Sequence, residues 1–237
     1  MKVRGTRECQ SCGERWSYYD TGSVECPACG SLRSVGVDDE RKLHTATDAR
    51  LDLTEVREAV DERPLREVAE RAVEVTRSFT RGHGFIDGGR LQPLSDTYLA
   101  AAELRSVADA VGRATRVDDE EEYYFLSLLR GADDGNRPNP AAVPESLRDS
   151  RGLAYATAVE SYRDELRTYL EEYPDTAAAD TLGRLRGHVK RARALDGDVP
   201  LEESESLVAV AREVGRYLVD GDETALARAA ERLDGLE

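Results

Sequence analysis

Lysine is nearly absent from this sequence. Only Lys2, Lys42 and Lys190 occur among 237 residues, so 30 of the 33 basic side chains are arginine, set against 48 Asp and Glu for a formal net charge of −15. There is one Met and one Trp, and aromatics make up 6%. A body this acidic lacks the clustered cations that phosphate-backbone affinity requires, which argues against direct binding of duplex DNA. No segment approaches the roughly 18 consecutive apolar residues of a membrane span. No apolar stretch follows the charged start, Met1 to Arg7, so a secretory leader is not expected and the chain reads as cytoplasmic. Few lysines with many carboxylates is the composition expected of an extreme halophile, where dense salt screens repulsion among surface acids. Cysteine is scarce as well. Four cannot frame a disulfide scaffold in a chain this long, and all four lie within the first 29 residues, where clustering points to metal.

What is present divides near residue 38. Residues 1–37 hold every Cys and the only Trp, and five cationic side chains against four anionic ones give them +1, leaving −16 for the rest. Residues 38–47 read as a solvated linker. From 48 to 237 the apolar periodicity is helical, with no convincing alternation of two, and predicts a bundle of about seven helices. Ser95, Asp175 and Asp222 stand where N-caps belong, and the acidic run Asp118–Glu122 suits a helix N-terminus. The Pro/Gly/Asn-rich stretch 131–144 is a candidate sub-boundary. The fold expected is therefore mainly α, with a small three-stranded ribbon in front.

The ribbon rests on Cys9-Gln10-Ser11-Cys12-Gly13 and Cys26-Pro27-Ala28-Cys29-Gly30. Two residues between cysteines let a tight turn aim both sulfurs at one ion, and the glycine that follows accepts the backbone bend. Two such knuckles make a closed tetrahedron of thiolates, which suits one Zn²⁺ per chain with Cys9, Cys12, Cys26 and Cys29 as ligands. Iron takes four thiolates in the same geometry, and two disulfides or a redox dithiol are the third use of such cysteines. Arg15 to Tyr19 reads as a strand, Asp20-Thr21-Gly22 as a turn, Ser23 to Glu25 as its return, and Leu32 to Val37 as a third strand.

With these features, the segment resembles the transcription factor IIB-type zinc ribbon. The resemblance lies in the two Cys-x-x-Cys-Gly knuckles, the Trp16–Glu25 hairpin and the Cys-Pro-x-Cys-Gly-Ser ending at Ser31, over residues 7–37. It implies the same four cysteines as metal ligands. In that factor the ribbon docks on RNA polymerase and precedes basic DNA-binding repeats, whereas here an acidic body follows. The whole chain also resembles haloarchaeal proteins that join such a ribbon to a helical remainder, which implies an organism class and no activity. A rubredoxin-like ribbon on a helical bundle would suggest a rubrerythrin, but none of His44, His83 and His188 has the Glu three residues earlier that a di-iron bundle uses.

Weaker candidates lie in the body. The stretch Arg81–Arg90, with His83 and Asp87 among glycines, reads as a compact connector tucked onto the bundle, with an anion cradle or acid–base pair as the alternative. His188 reads as a half-buried histidine. Tyr123, Tyr124 and the tyrosines from 155 to 173 read as core, not as base-stacking platforms. Arg184, Arg186, Lys190, Arg191 and Arg193 read as an ion-paired helix face. One metal site and no catalytic set point to a non-catalytic zinc adaptor for a protein or ribonucleoprotein partner, with Trp16, Tyr18 and Tyr19 as contact aromatics. An enzyme with its site near the Gly82–Gly89 loop and a rubredoxin-like electron carrier are the alternatives.

Overall fold

Strands of two to four residues build the N-terminal part of the structure, a computed structural model in which residues 1–236 are described. β1 (Lys2–Val3) pairs antiparallel with a strand at Lys42–Leu43. β2 (Thr6–Cys9) is the centre of a three-stranded antiparallel sheet, with β3 (Arg15–Ser17) on one side and β4 (Ser34–Gly36) on the other. The Trp16–Glu25 hairpin does not form. After β3 the Ser17 hydroxyl accepts the Asp20 N–H at 3.2 Å and caps a single helical turn, α1 (Tyr18–Thr21), which Gly22 ends at φ 61°. Residues 23–25 return without strand pairing, and the partner of β3 is the segment before the first knuckle.

The chain resolves into two compact units, one of Met1–Arg50 with Gly82–Gln92, the other of Leu51–Arg81 with Pro93 onward. In the first, residues 38–47 are not a solvated linker. They contain β5 (Lys42–Leu43), and Leu43 and His44 are buried. The glycine-rich stretch is not a connector folded onto helices either. It forms a hairpin, β6 (Ile86–Asp87) and β7 (Arg90–Leu91), whose Gly88 and Gly89 both take positive φ (54° and 85°), the geometry of a tight primed turn. The N–H groups of Thr45 and Ala46 donate to the Ile86 carbonyl at 2.8 and 2.9 Å, and the Gly89 N–H donates to that of Leu43 at 2.7 Å. This segment completes the first unit.

The second unit is helical: α2 (Thr54–Glu58), α3 (Leu65–Gly82, its last residue in the first unit), α4 (Asp96–Arg113), α5 (Asp119–Gly131), α6 (Arg148–Glu172), α7 (Thr176–Ala194), α8 (Leu201–Asp220) and α9 (Glu223–Asp234). The fold is mainly α. Side chains of Ser95, Asp175 and Asp222 cap α4, α7 and α9, and Asp118 with Glu121 makes a full capping box on α5. α6 lies against α4, α7 and α8. Because α4 and α6 pack directly, the stretch 131–144 between α5 and α6 is a link within one core and not a sub-boundary. α9 buries Ala225, Ala229 and Leu233 and lies against α8. Among the described residues, no helix is long and apolar enough to cross a membrane.

The middle of this core is charged. Glu103 on α4 is 0% exposed and Arg151 on α6 is 2% exposed, and the Arg151 guanidinium donates to Glu103 Oε1 at 3.1 Å. It also donates to the Tyr124 hydroxyl and the Pro138 carbonyl, each at 3.2 Å. The Tyr155 hydroxyl donates to Glu103 Oε2 at 3.0 Å, and that of Tyr124 to Oε1. Burial raises the Glu103 pKa above its ordinary value, although Arg151 and the two tyrosines hold it down.

Candidate metal centre

Two equivalent turns position the cysteines. In the first, the Cys9 N–H donates to the Glu14 carbonyl at 2.8 Å and the Gly13 N–H returns to the Cys9 carbonyl at 3.0 Å. In the second, the Cys26 N–H donates to the Ser31 carbonyl at 3.0 Å and the Gly30 N–H to the Cys26 carbonyl at 2.9 Å. Gly13 and Gly30 take φ 80° and 71°, which a side chain would strain. The hydroxyls of Ser11 and Ser31 meet at 3.0 Å and tie the two turns together.

The sulfurs converge. Cys9 and Cys29 Sγ are 3.7 Å apart, those of Cys12 and Cys26 3.6 Å, and all four lie within 4.8 Å of one another. A tetrahedral ion with bonds of about 2.3 Å to sulfur sets edges of about 3.8 Å, so the cluster can hold a metal ion. A disulfide needs about 2.05 Å, and the four cysteines are free. Cys9 and Cys26 are buried with Trp16, whose indole N–H donates to the Ser23 carbonyl at 3.1 Å, while Cys12 and Cys29 are exposed. Trp16 is therefore the backing of the site and not an exposed contact residue. Tyr18 and Tyr19 are half-buried, with ring centroids 5.9 and 4.9 Å from that of His44.

Electrostatics separate the thiols. Backbone N–H groups of Cys12 and Ser11 lower the Cys9 pKa to about 6. The Glu14 N–H pulls Cys12 the same way, yet the Cys29, Cys26 and Cys9 sulfurs together with burial outweigh it and push Cys12 up to about 12. Cys29 is raised too, although the Ser31 N–H opposes the shift. Four sulfurs this close cannot all ionise unless a cation offsets their repulsion.

The other expected site residues do not assemble. The Asp87 carboxylate lies 3.3 Å from His44 Nδ1, and His83 packs edge-on against Phe85 with ring centroids 4.8 Å apart, so the imidazole that Asp87 meets is not His83. His44 escapes sequence reasoning because its partner is distant in the chain. Its Nδ1 accepts the Gly88 N–H at 3.2 Å, which favours the neutral ring, and burial lowers its pKa against the pull of Asp87. The sign follows from linkage. The unfolded chain, with an ordinary pKa near 6.5, binds more protons than the folded one, so this stabilisation is complete above that pH and is lost on acidification below it. Unfolding followed by Trp16 fluorescence from pH 8 to 5.5 should show wild type losing stability, with a smaller slope in His44→Gln.

His188 is half-buried, as expected. Tyr124, Tyr155 and Tyr162 are core, but Tyr123 is 72% and Tyr173 48% exposed. In the basic cluster, Arg184 pairs with Asp234, Arg191 with Glu203 and Arg193 with Glu160, while Arg186 and Lys190 are exposed.

Fold and site together define a mainly α protein with an N-terminal four-cysteine cluster able to hold a metal ion. No curated protein matches the chain, and no solved structure does. The chain belongs to a family of unknown function, DUF7117, which it matches over residues 1–233.

Proposed function

We propose that the chain is a zinc-binding, non-catalytic adaptor that recognises a protein or ribonucleoprotein partner. The observation carrying the metal assignment is four sulfurs within 4.8 Å of one another, two of the pairs at tetrahedral edge length. An all-thiolate site has no open position for substrate, and such sites hold structure together. Zn²⁺ supplies that cross-link without redox chemistry, held by Cys9, Cys12, Cys26 and Cys29. The resemblance to the transcription factor IIB-type ribbon supports a transcription-linked partner.

The contact surface we assign differs from the aromatic one that the sequence suggests. The Ser34 hydroxyl donates to the Val24 carbonyl at 2.6 Å, which keeps Val24 beside β4, and Val24, Leu32 and Val35 are 44%, 70% and 42% exposed. Apolar residues left in water on a rigid, metal-held ribbon suit a partner contact. The acidic, lysine-poor surface fits work in concentrated salt, where screening leaves apolar contacts dominant.

Affinity capture from a native lysate in molar KCl, followed by gel filtration and metal analysis, tests the reading. One zinc per chain and co-elution with a large assembly are expected, with recovery of that assembly reduced about tenfold or more in Leu32→Asp, as when a central apolar anchor is lost. Recovery of wild type as a lone monomer overturns the adaptor, and a red, iron-loaded protein overturns zinc.

A further inference from the structure

About half of the arginines of this protein meet carboxylates, as Arg57 meets Asp133, Arg191 meets Glu203 and Arg212 meets Asp96. Among those that do not, three converge on one cavity. Arg77 and Arg81, one helical turn apart on α3, and Arg105 on α4 line a single pocket of about 430 Å³ between α3, α4 and α6. Among the described residues none of the three is within ion-pair distance of a carboxylate. The one acid in the pocket wall, Asp109, is engaged by Arg113.

Like charges one turn apart on a helix disfavour it, and a third converging from another helix adds to the repulsion. A preference of cations for a helix C-terminus can account for Arg81, near the end of α3, but not for Arg105 in the middle of α4. Arg105 is half-buried, and burial together with Arg77 and Arg81 lowers its pKa against the opposing pull of Asp109. The chain has 48 acidic residues to draw on, yet the charge nearest this cluster is Asp109 alone, and it lies beyond ion-pair distance of all three arginines. On the α6 side the wall carries the hydroxyl residues Thr157 and Ser161, and Tyr98 and Leu153 give the pocket an apolar part.

We propose that this pocket binds a small phosphate monoester, its phosphate held by Arg77, Arg81 and Arg105 and its organic part on the Tyr98–Leu153 wall. Guanidinium groups donate to phosphate oxygens in pairs. The volume lies within the range of pockets that take small ligands. This site is independent of the metal centre and of the adaptor reading.

The test is ¹⁵N NMR of the arginine side chains of the full-length protein in phosphate-free buffer with 0.5 M KCl, titrated with phenyl phosphate, inorganic phosphate, phenol and a single-stranded RNA oligonucleotide. Saturable shifts at Arg77, Arg81 and Arg105 are expected with phenyl phosphate, weaker ones with inorganic phosphate, and none with phenol. Arg77 and Arg81 are exposed, so R77Q/R81Q should fold as wild type by circular dichroism and bind phenyl phosphate at least tenfold more weakly. R105Q gives the same reading from the second helix. Unchanged affinity in R77Q/R81Q, or no saturable shift with phenyl phosphate, overturns the proposal. Binding of the oligonucleotide alone also overturns it and makes the cluster a nucleic-acid contact.

Discussion

Substituting Cys26 with serine is expected to release the metal and unfold the three-stranded ribbon of the first unit, while the far-UV helical signal of the second unit persists. The three-stranded ribbon of that unit has little else to hold it. Its strands are three or four residues long, and the core beneath the knuckles is Cys9, Cys26 and Trp16. Structural zinc sites carry apparent binding free energies of about 10–16 kcal/mol, against about 5–15 kcal/mol for the whole stability of a typical domain. Loss of one buried ligand therefore exceeds what the small sheet can supply. Trp16 reports the event, because its ring leaves the Cys9–Cys26 core and its emission shifts to the red. Chelation of the wild-type metal should reproduce the shift. A Cys26→Ser protein with unshifted Trp16 emission and one metal per chain would show that the cluster is not what holds this ribbon.

Arg151→Met should be the most damaging single change in the helical unit. It leaves the Glu103 carboxylate, 0% exposed, facing Tyr124 and Tyr155 with no cation in contact and only the more distant Arg137 to offset it. Breaking a buried pair from one side costs about 3–5 kcal/mol, which lowers the melting temperature of a unit this size by on the order of 10 °C. Removing both partners is a different matter, since desolvation of two charges opposes their attraction. Glu103→Leu/Arg151→Met should recover much of the loss, so the double-mutant cycle should show strong coupling. Purely additive losses in thermal or denaturant unfolding would refute the idea that the pair acts as one element. Acid should also spare Arg151→Met relative to neutral pH, because Glu103 already has a raised pKa and its protonation removes the uncompensated charge.

Much of the helical unit is legible in the sequence because its signals are local. Ser95, Asp175 and Asp222 cap helices through N–H groups three residues ahead, and Asp118 and Glu121 close their capping box within one turn. The metal cluster is legible for the same reason, since each knuckle fixes its own geometry within five residues. The rest depends on partners far away in the chain. Nothing near Glu103 distinguishes it from other acids of this sequence; Arg151 and two tyrosines from other helices make it a core residue. The strand order around β2 and the partnership of residues 43–46 with the 86–89 hairpin are long-range as well. The helical turn at Tyr18–Thr21 was locally encoded, by Ser17 and Gly22, but the Tyr-Tyr pair favours strand, and cap chemistry won. The Arg77–Arg81–Arg105 cluster had only its one-turn spacing to announce it, and the third member lies on another helix.

Because the hairpin at residues 82–92 belongs to the first unit, that unit assembles out of order. Synthesis runs from the N-terminus, so the two knuckles and their sheet are complete once Gly36 has emerged, and metal can bind then. The amides of Thr45 and Ala46 must wait until α3 has been made and Ile86 follows it. The nascent chain thus passes through a metal-loaded stage in which Leu43 and His44 lack their cover, and closing that long loop opposes the last step by its entropy. A cut after Arg50 would leave the protein arrested at that stage, its knuckles formed and one edge open.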